Sequence, residues 1–427
     1  MLDILLQHGR VINPETNTDE ILDILIVDGA IVDVGRSLTA KKSVDRLELR
    51  GKVVAPGFLD MHVHLREPGY EYKETIETGC AAAAAGGFTA VCCMPNTNPP
   101  IDTESTVRFV KRKASGVLEG IVDVYPIAAV TKGREGKELA PMGELYEAGA
   151  VAFSDDGSPV ANAEVMRRAL EYAKMFEAPI IQHAEEPSLT AGGVMNEGFV
   201  STAIGMPAMP SIAEELIVAR DIALVDYIGG LYHVAHVSTA GSVDLVRAAK
   251  TKGLQVTCEV TPHHFTLTEE AVRGFDTNAK MKPPLRTQED VEAIKAGLHD
   301  GSIDAIASDH APHSFDEKQV EFINAPFGIV GLETTVSLAI TELVKTNVLT
   351  WGELVKRCSL NPRRILNLPA PKIVPSERAN LTILDPNVEW VIDVSLFKSK
   401  SKNSPFHGRK VTGRAVGIIN NGSIRLN

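Results

Sequence analysis

Eight short apolar runs, each followed by a stretch with helical spacing, leave few folds open to this chain. The runs are 53–64, 89–94, 121–130, 150–153, 179–183, 231–237, 254–260 and 303–308. Rich in β-branched residues and short, they read as buried strands. Between them, stretches such as 75–85, 163–176, 212–225, 242–251 and 288–298 place apolar residues on one helical face. Eight strand–helix units over about 310 residues predict an α/β architecture, a closed (β/α)8 barrel of the TIM type. An open doubly wound sheet is the rival, but no Gly-x-Gly-x-x-Gly follows the first strand.

Both chain ends have a different texture. Ile4-Leu5-Leu6, Ile24-Leu25-Ile26-Val27 and Ala30-Ile31-Val32-Asp33-Val34 read as strands, with Asp28-Gly29 as a hairpin turn. After residue 370 the strand-only pattern returns in Asn380-Leu381-Thr382-Ile383-Leu384, Trp390-Val391-Ile392 and Ala415-Val416-Gly417-Ile418-Ile419, followed by the turn Asn421-Gly422. The two ends are expected to pair into one small composite β-domain. The resulting division is 1–54 and 369–427 for that domain and 55–368 for the barrel. The basic stretch 398–403 reads as a solvated loop.

Composition excludes several classes of function. A net charge of −12 with no basic stripe argues against a nucleic-acid partner. No apolar run approaches the roughly 20 residues that span a bilayer. Met1-Leu2-Asp3-Ile4 has no basic n-region, so a cytoplasmic location is expected. The five cysteines lack zinc-ribbon spacing and lie mostly in apolar runs, which predicts buried, reduced thiols.

In such a barrel the carboxyl ends of the strands face one pocket. Strand one ends His62-Val63-His64-Leu65-Arg66, and alternation puts both histidines on one side. Strand two ends Met94-Pro95-Asn96, and strand four Ser154-Asp155-Asp156-Gly157. Strand five ends His183-Ala184-Glu185, strand six His236-Val237-Ser238, and strand eight Asp309-His310-Ala311-Pro312-His313. Singly, each group has an ordinary reading: a hydrogen-bonded core histidine, a turn, or a helix cap. Together, four histidines and two carboxylates converge on one pocket. Nitrogen and oxygen ligands without thiolate suit zinc, or else manganese or cobalt. Six ligands exceed one tetrahedral ion, so two ions sharing a carboxylate is the natural arrangement.

These stretches resemble the amidohydrolase superfamily and, within it, class I dihydroorotases. The matching segments also include Asp60-Met61-His62-Val63-His64-Leu65-Arg66-Glu67-Pro68-Gly69, Val260-Thr261-Pro262-His263-His264, Lys282-Pro283-Pro284-Leu285-Arg286 and Ala325-Pro326-Phe327-Gly328. The resemblance implies that His62, His64 and Asp309 hold one Zn2+ and that His183 and His236 hold the other, if two ions are bound rather than one. It makes Asp156 the bridge, where many relatives use a modified lysine. It assigns Arg66, Asn96 and His313 to the substrate carboxylate and ring, with contacts from His64, Phe327 and Gly328. Lys282 stands where this class commonly has Asn, so that substrate contact departs from the pattern. A cationic His313 would add to the positive field of the pocket.

The implied reaction closes N-carbamoyl-L-aspartate to (S)-dihydroorotate with loss of water, and runs in reverse as hydrolysis. A metal brings the pKa of water from 15.7 to about 7. Asp309 is the expected general acid and base. Arg66 offers a planar fork to the substrate carboxylate. Implied partners are the small-molecule substrate, a homodimer and an aspartate carbamoyltransferase complex. The alternatives are a non-catalytic subunit supporting that transferase, or a dihydropyrimidinase, hydantoinase or allantoinase. Ligand loss would mark the former; a lysine bridge and no need for Arg66 would mark the latter. Polar residues 314–324 read either as a lid over the ligand or as an ordinary surface loop. His263, His264 and His310 carry no assigned role, and alternation turns His310 away from Asp309.

Overall fold

Gly57 divides the first apolar run into two strands that serve different sheets. In the computed structural model, which describes residues 2–427, Val53–Pro56 lies between Ile4–Asn13 and Leu381–Val391 in the sheet built from the chain ends. Phe58–Val63 then opens the barrel. The reading of 53–64 as one strand is therefore corrected. A Cβ at Gly57 would come within 1.8 Å of Asn380 Oδ1 and 2.4 Å of Thr89 Oγ1, so only glycine lets the chain cross there.

The barrel strands are β1 (Phe58–Val63), β2 (Phe88–Cys93), β3 (Asp123–Ala128), β4 (Ala152–Phe153), β5 (Ile180–Gln182), β6 (Tyr232–Val234), β7 (Val256–Val260) and β8 (Ala305–Ile306). They pair in parallel in that order. The circle is completed past the end of β8, where Val63 pairs with His310 and His64 N donates to His310 O at 2.9 Å. The buried Asp60 carboxylate joins the same seam by accepting from Ser308 N. Leu59, Met61, Ala90, Cys92, Met94, Ile127, Ala152, Ile181, Ala235, Ala305 and Ala307 fill the barrel interior, and Leu366 packs against them. Phe58, Phe88, Phe153, Ile180 and Val234 belong to the core that includes the surrounding helices. This is the period-2 alternation of strands covered on both faces.

The helices follow from local chemistry. Thr75, Thr103, Asn162, Thr239 and Thr287 each cap the helix they precede with a side-chain oxygen. In Ala163–Ala173 the buried set is Met166, Ala169, Leu170 and Ala173, an i, i+3, i+4, i+7 stripe.

The chain ends form an eight-stranded mixed sheet, a separate domain beside the barrel. Its two tight turns are those expected: Asp28-Gly29 (φ 51° and 73°) and Asn421-Gly422 (φ 51° and 74°). Positive φ at both central residues is the hairpin geometry these pairs favour. All five cysteines are buried and unpaired.

The stretch 398–403 is not a solvated loop. Ser399, Ser401 and Asn403 are buried against the barrel mouth. Lys398 N and Ser399 N donate to Glu333, and Lys402 Nζ turns back onto the carbonyls of Phe397 and Ser399. The lysines give the stretch a solvent-facing pattern, while Ser399, Ser401 and Asn403 make the buried contacts.

Candidate metal centre

Asp156 is the hub of the site. Its Oδ1 lies 3.4 Å from His62 Nε2, 3.6 Å from His236 Nε2 and 3.7 Å from His183 Nδ1, and its Oδ2 lies 3.6 Å from His64 Nε2. One carboxylate thus faces all four imidazoles. Asp309 Oδ1 stands 2.9 Å from His64 Nε2 and 3.5 Å from His62 Nε2. All six residues are buried.

The adjacent acids Asp155 and Asp156 point different ways. The Asp155 carboxylate accepts from Val130 N (2.9 Å), Thr131 N (3.0 Å) and Thr131 Oγ1, so it fastens the end of β3. Ser154 Oγ accepts from Asp156 N at 3.0 Å, and Arg134 Nη2 donates to the carbonyls of both acids. Those contacts leave the Asp156 carboxylate for the cavity. Arg66, His236 and Asp309 take positive φ (59°, 34° and 43°), a conformation that costs non-glycine residues about 1–3 kcal/mol each and clusters at functional sites.

The donor set suits a cation. His62 Nε2 and Asp156 Oδ1 are buried and have no hydrogen-bond partner. His183 Nδ1 and His236 Nε2 are 2.9 Å apart, a distance that needs a shared proton or a cation between the lone pairs. Burial disfavours charge on His62, yet Asp309, Asp156 and Glu259 raise its pKa well above the ordinary range. Burial likewise opposes a charged His183, but Asp156 and Glu185 lift its pKa to about 9. This surplus of carboxylate around imidazole is what divalent ions neutralise. Three overlapping groups could each hold an ion: His62, His64 and Asp156; His62, His236 and Asp309; and Asp156, His183 and His236.

Glu259 and Glu185, without a role assigned from the sequence, support these imidazoles, as does Asn96. Glu259 Oε1 lies 2.6 Å from His62 Nδ1, and Glu185 Oε2 lies 3.3 Å from His183 Nε2. A charged residue inside the apolar run of β7 was the available signal for Glu259. Asn96 Oδ1 accepts from His64 Nδ1 at 2.7 Å, and its Nδ2 reaches Asp156 Oδ2 at 3.3 Å, so this side chain orients ligands.

A cavity of about 350 Å³ opens over the cluster, lined by His64, Arg66, Asn96, Lys282, His313, Phe327 and Gly328 among others. Every expected substrate residue therefore borders the same space. Arg66 Nε donates to Pro312 O at 3.2 Å, which holds the guanidinium at the wall. Gly328 (φ 151°) packs so closely that a Cβ would meet Ala311 O at 2.6 Å. Lys282 Nζ is paired with Glu185 Oε1 at 2.9 Å, which ties it to the carboxylate behind His183.

The surroundings of His313 favour a neutral ring over the expected cation. Burial, with Arg66, Lys73 and Lys318 nearby, holds its pKa far below the ordinary range. Its Nε2 faces Phe327 O at 2.8 Å and Lys73 Nζ faces its Nδ1 at 3.4 Å, the pattern of a neutral ring protonated on Nε2. His310 points away from the cavity, with Nε2 3.3 Å from Glu74 and Nδ1 accepting from Gly331 N. His264 is bound to Thr261 and Pro283 O. Residues 314–324 include the helix Phe315–Lys318 and are fastened: Glu317 pairs with Lys73, Phe322 packs in a small core, and Lys280 Nζ donates to Phe322 O.

A (β/α)8 barrel whose strand ends gather four histidines and two aspartates has the architecture of a metal-dependent cyclic amidohydrolase. A family model described as Dihydro-orotase-like matches residues 51–242. The chain is 51% identical to a dihydroorotase of Pelobacter propionicus over 418 residues, 98% of both chains. It is equally, 51%, identical to one from Acetivibrio thermocellus over 421 residues, 99% of this chain and 98% of that one. The chain belongs to the dihydroorotase family. Among solved structures, an L-hydantoinase (dihydropyrimidinase) from Arthrobacter aurescens superposes with a TM-score of 0.87 at 25% identity, covering 99% of this chain and 96% of that one. A dihydropyrimidinase from Brevibacillus agri shares the fold, with a TM-score of 0.85 at 22% identity over 100% of this chain and 95% of its own.

Proposed function

We propose that this chain interconverts N-carbamoyl-L-aspartate and (S)-dihydroorotate, the ring closure of pyrimidine synthesis. One observation carries the reading: the cavity over the Asp156 cluster is lined by both Arg66 and Asp309. A cyclic amide bearing a carboxylate matches that pairing of a fixed cation with a reactive acid.

His62, His64 and Asp309 would hold one ion, His183 and His236 a second, with Asp156 between them. Nitrogen and oxygen donors fit Zn2+. Bound ions would supply water of lowered pKa and polarise the ring carbonyl. In hydrolysis the Asp309 carboxylate takes the proton of the attacking water and passes it to the departing ring nitrogen. Closure runs the same transfers backward. Asp309 Oδ1 lies 2.9 Å from His64 Nε2, so the acid sits at the edge of the imidazole cluster. Arg66 orients the substrate carboxylate through its planar fork. Asn96 acts through His64 and Asp156, and Lys282, His313, Phe327 and Gly328 shape the ring pocket.

The barrel, from Gly57 to residue 368, forms the catalytic unit in this reading, with 2–56 and 369–427 as the flanking domain. Among the described residues no helix is long and apolar enough to cross a membrane. The reading places the enzyme in the cytoplasm, with a homodimer and an aspartate carbamoyltransferase complex as the assemblies to test.

The purified chain should hydrolyse dihydroorotate and cyclise N-carbamoyl-L-aspartate, with metal counted in the same sample. Dihydrouracil and hydantoin, which lack the carboxylate, should be poor substrates. Equal turnover of hydantoin and dihydroorotate would refute the assignment.

A further inference from the structure

The three hydrogen-bonding atoms of one buried amide are all spent on the main chain that forms the cavity wall. Asn403 is 4% exposed. Its Nδ2 donates to Ala311 O at 3.0 Å and to Gly328 O at 2.9 Å, and its Oδ1 accepts from His313 N at 3.0 Å. Both amide protons are thereby used. Asn403 O also accepts from Val330 N at 2.9 Å. Ala311, His313 and Gly328 all border the cavity, whereas Asn403 does not reach it.

The neighbours of Asn403 make similar ties. Ser401 Oγ donates to Lys73 O at 2.6 Å. Ser399 Oγ donates to Glu74, the carboxylate paired with His310. Residues 399–403 thus form a strap, from the C-terminal part of the chain, across the barrel mouth. Of these residues Asn403 alone ties both feet of the 314–324 excursion, gripping Ala311 and His313 on one side and Gly328 on the other.

We infer that Asn403 is a positioning residue that sets the substrate subsite by fixing the main chain of Ala311, His313 and Gly328 from behind. The inference rests on reading this cavity as the dihydroorotate site. Asn403 has no hydrogen bond to His62, His64, Asp156, His183, His236 or Asp309, so its influence falls on substrate binding rather than on metal retention. Asparagine is required because two carbonyls need two donors while one N–H needs an acceptor. Aspartate has the same shape, yet it would set a carboxylate against both carbonyls.

The test compares wild type with Asn403→Ala, Asn403→Asp and the milder Asn403→Ser in the metal-loaded enzyme. Measured quantities are KM and kcat for dihydroorotate, bound metal and thermal unfolding. Loss of the three bonds should raise KM about tenfold or more, with kcat within about threefold and metal content unchanged. Asn403→Asp should show the same rise despite its size. An unchanged KM in variants of an active wild type overturns the inference. So does failure of all three variants to fold, or joint loss of kcat and metal at constant KM, because Asn403 would then be structural. A wild type inactive on dihydroorotate fails the functional reading itself, a result seen before any variant is made.

Discussion

Glu259 Oε1 lies 2.6 Å from Nδ1 of His62, on the far side of the imidazole from the Nε2 that faces Asp156 and Asp309. Both side chains are fully buried. Burial pushes the Glu259 pKa up, but His62 and His233 more than offset it and hold it below the usual carboxylate range. A carboxylate behind a ligating histidine fixes its tautomer and raises its basicity. Glu259→Gln keeps the shape and removes the charge. Metal affinity, read by titration of the metal-free chain, should fall roughly 10–100-fold with the fold retained. Unchanged affinity would show that Glu259 only fills space.

Asp309 Oδ1 lies 2.9 Å from His64 Nε2, and Asp309 lines the cavity. Asp309→Asn preserves volume and cannot accept a proton at that position. The kcat for dihydroorotate hydrolysis should drop by about 10²–10⁴, the range that positioned acid–base groups contribute. Circular dichroism should stay native. Activity near the wild-type level would move the proton transfer elsewhere.

How far these features could be seen in the chain depended on whether they were local. His62 and His64 are legible because two-residue spacing on a strand fixes their common side. Asp156 and Asp309 are legible because they follow apolar runs directly. Gly57 was not, because its crossing is enforced by Asn380 and Thr89, residues remote in sequence. Glu259, in a buried strand, and Asn403, directly after Lys402, depend on partners brought near only by the closed barrel. The charge state of His313 is hidden for a related reason: spacing reveals its position, but Arg66 and Lys73 reach it from other segments.

Arg66 borders the cavity with its Nε held by Pro312 O, leaving the planar end to meet a carboxylate. With His313 neutral, Arg66 carries more of the attraction for that group. Arg66→Met should raise KM for dihydroorotate roughly 10- to 150-fold, the equivalent of 1.5–3 kcal/mol for a charge-assisted bond. The KM for hydantoin, if that ring is turned over at all, should barely move. A parallel loss for both rings would place Arg66 outside carboxylate recognition.

Lys318 gives the fold a pH dependence that can be separated from the metal site. It is 3% exposed, and its Nζ donates to Thr277 O at 2.9 Å and Pro326 O at 2.7 Å. Burial, with Lys280 nearby, lowers its pKa from 10.5 to about 7. Between those values the unfolded chain holds a proton that the native chain has released. Stability therefore rises with pH across that window, by at most about 1.4 kcal/mol per pH unit. The contribution is complete above 10.5 and is lost as pH falls through about 7. Lys318→Met removes the titrating group while keeping an unbranched side chain. Urea unfolding of both proteins from pH 6 to pH 9 should show the difference moving in favour of wild type by about 2 kcal/mol, most of it above pH 7. A difference constant with pH would mean that the ammonium keeps its ordinary pKa, and that the two carbonyls stabilise its charge enough to cancel the cost of burial.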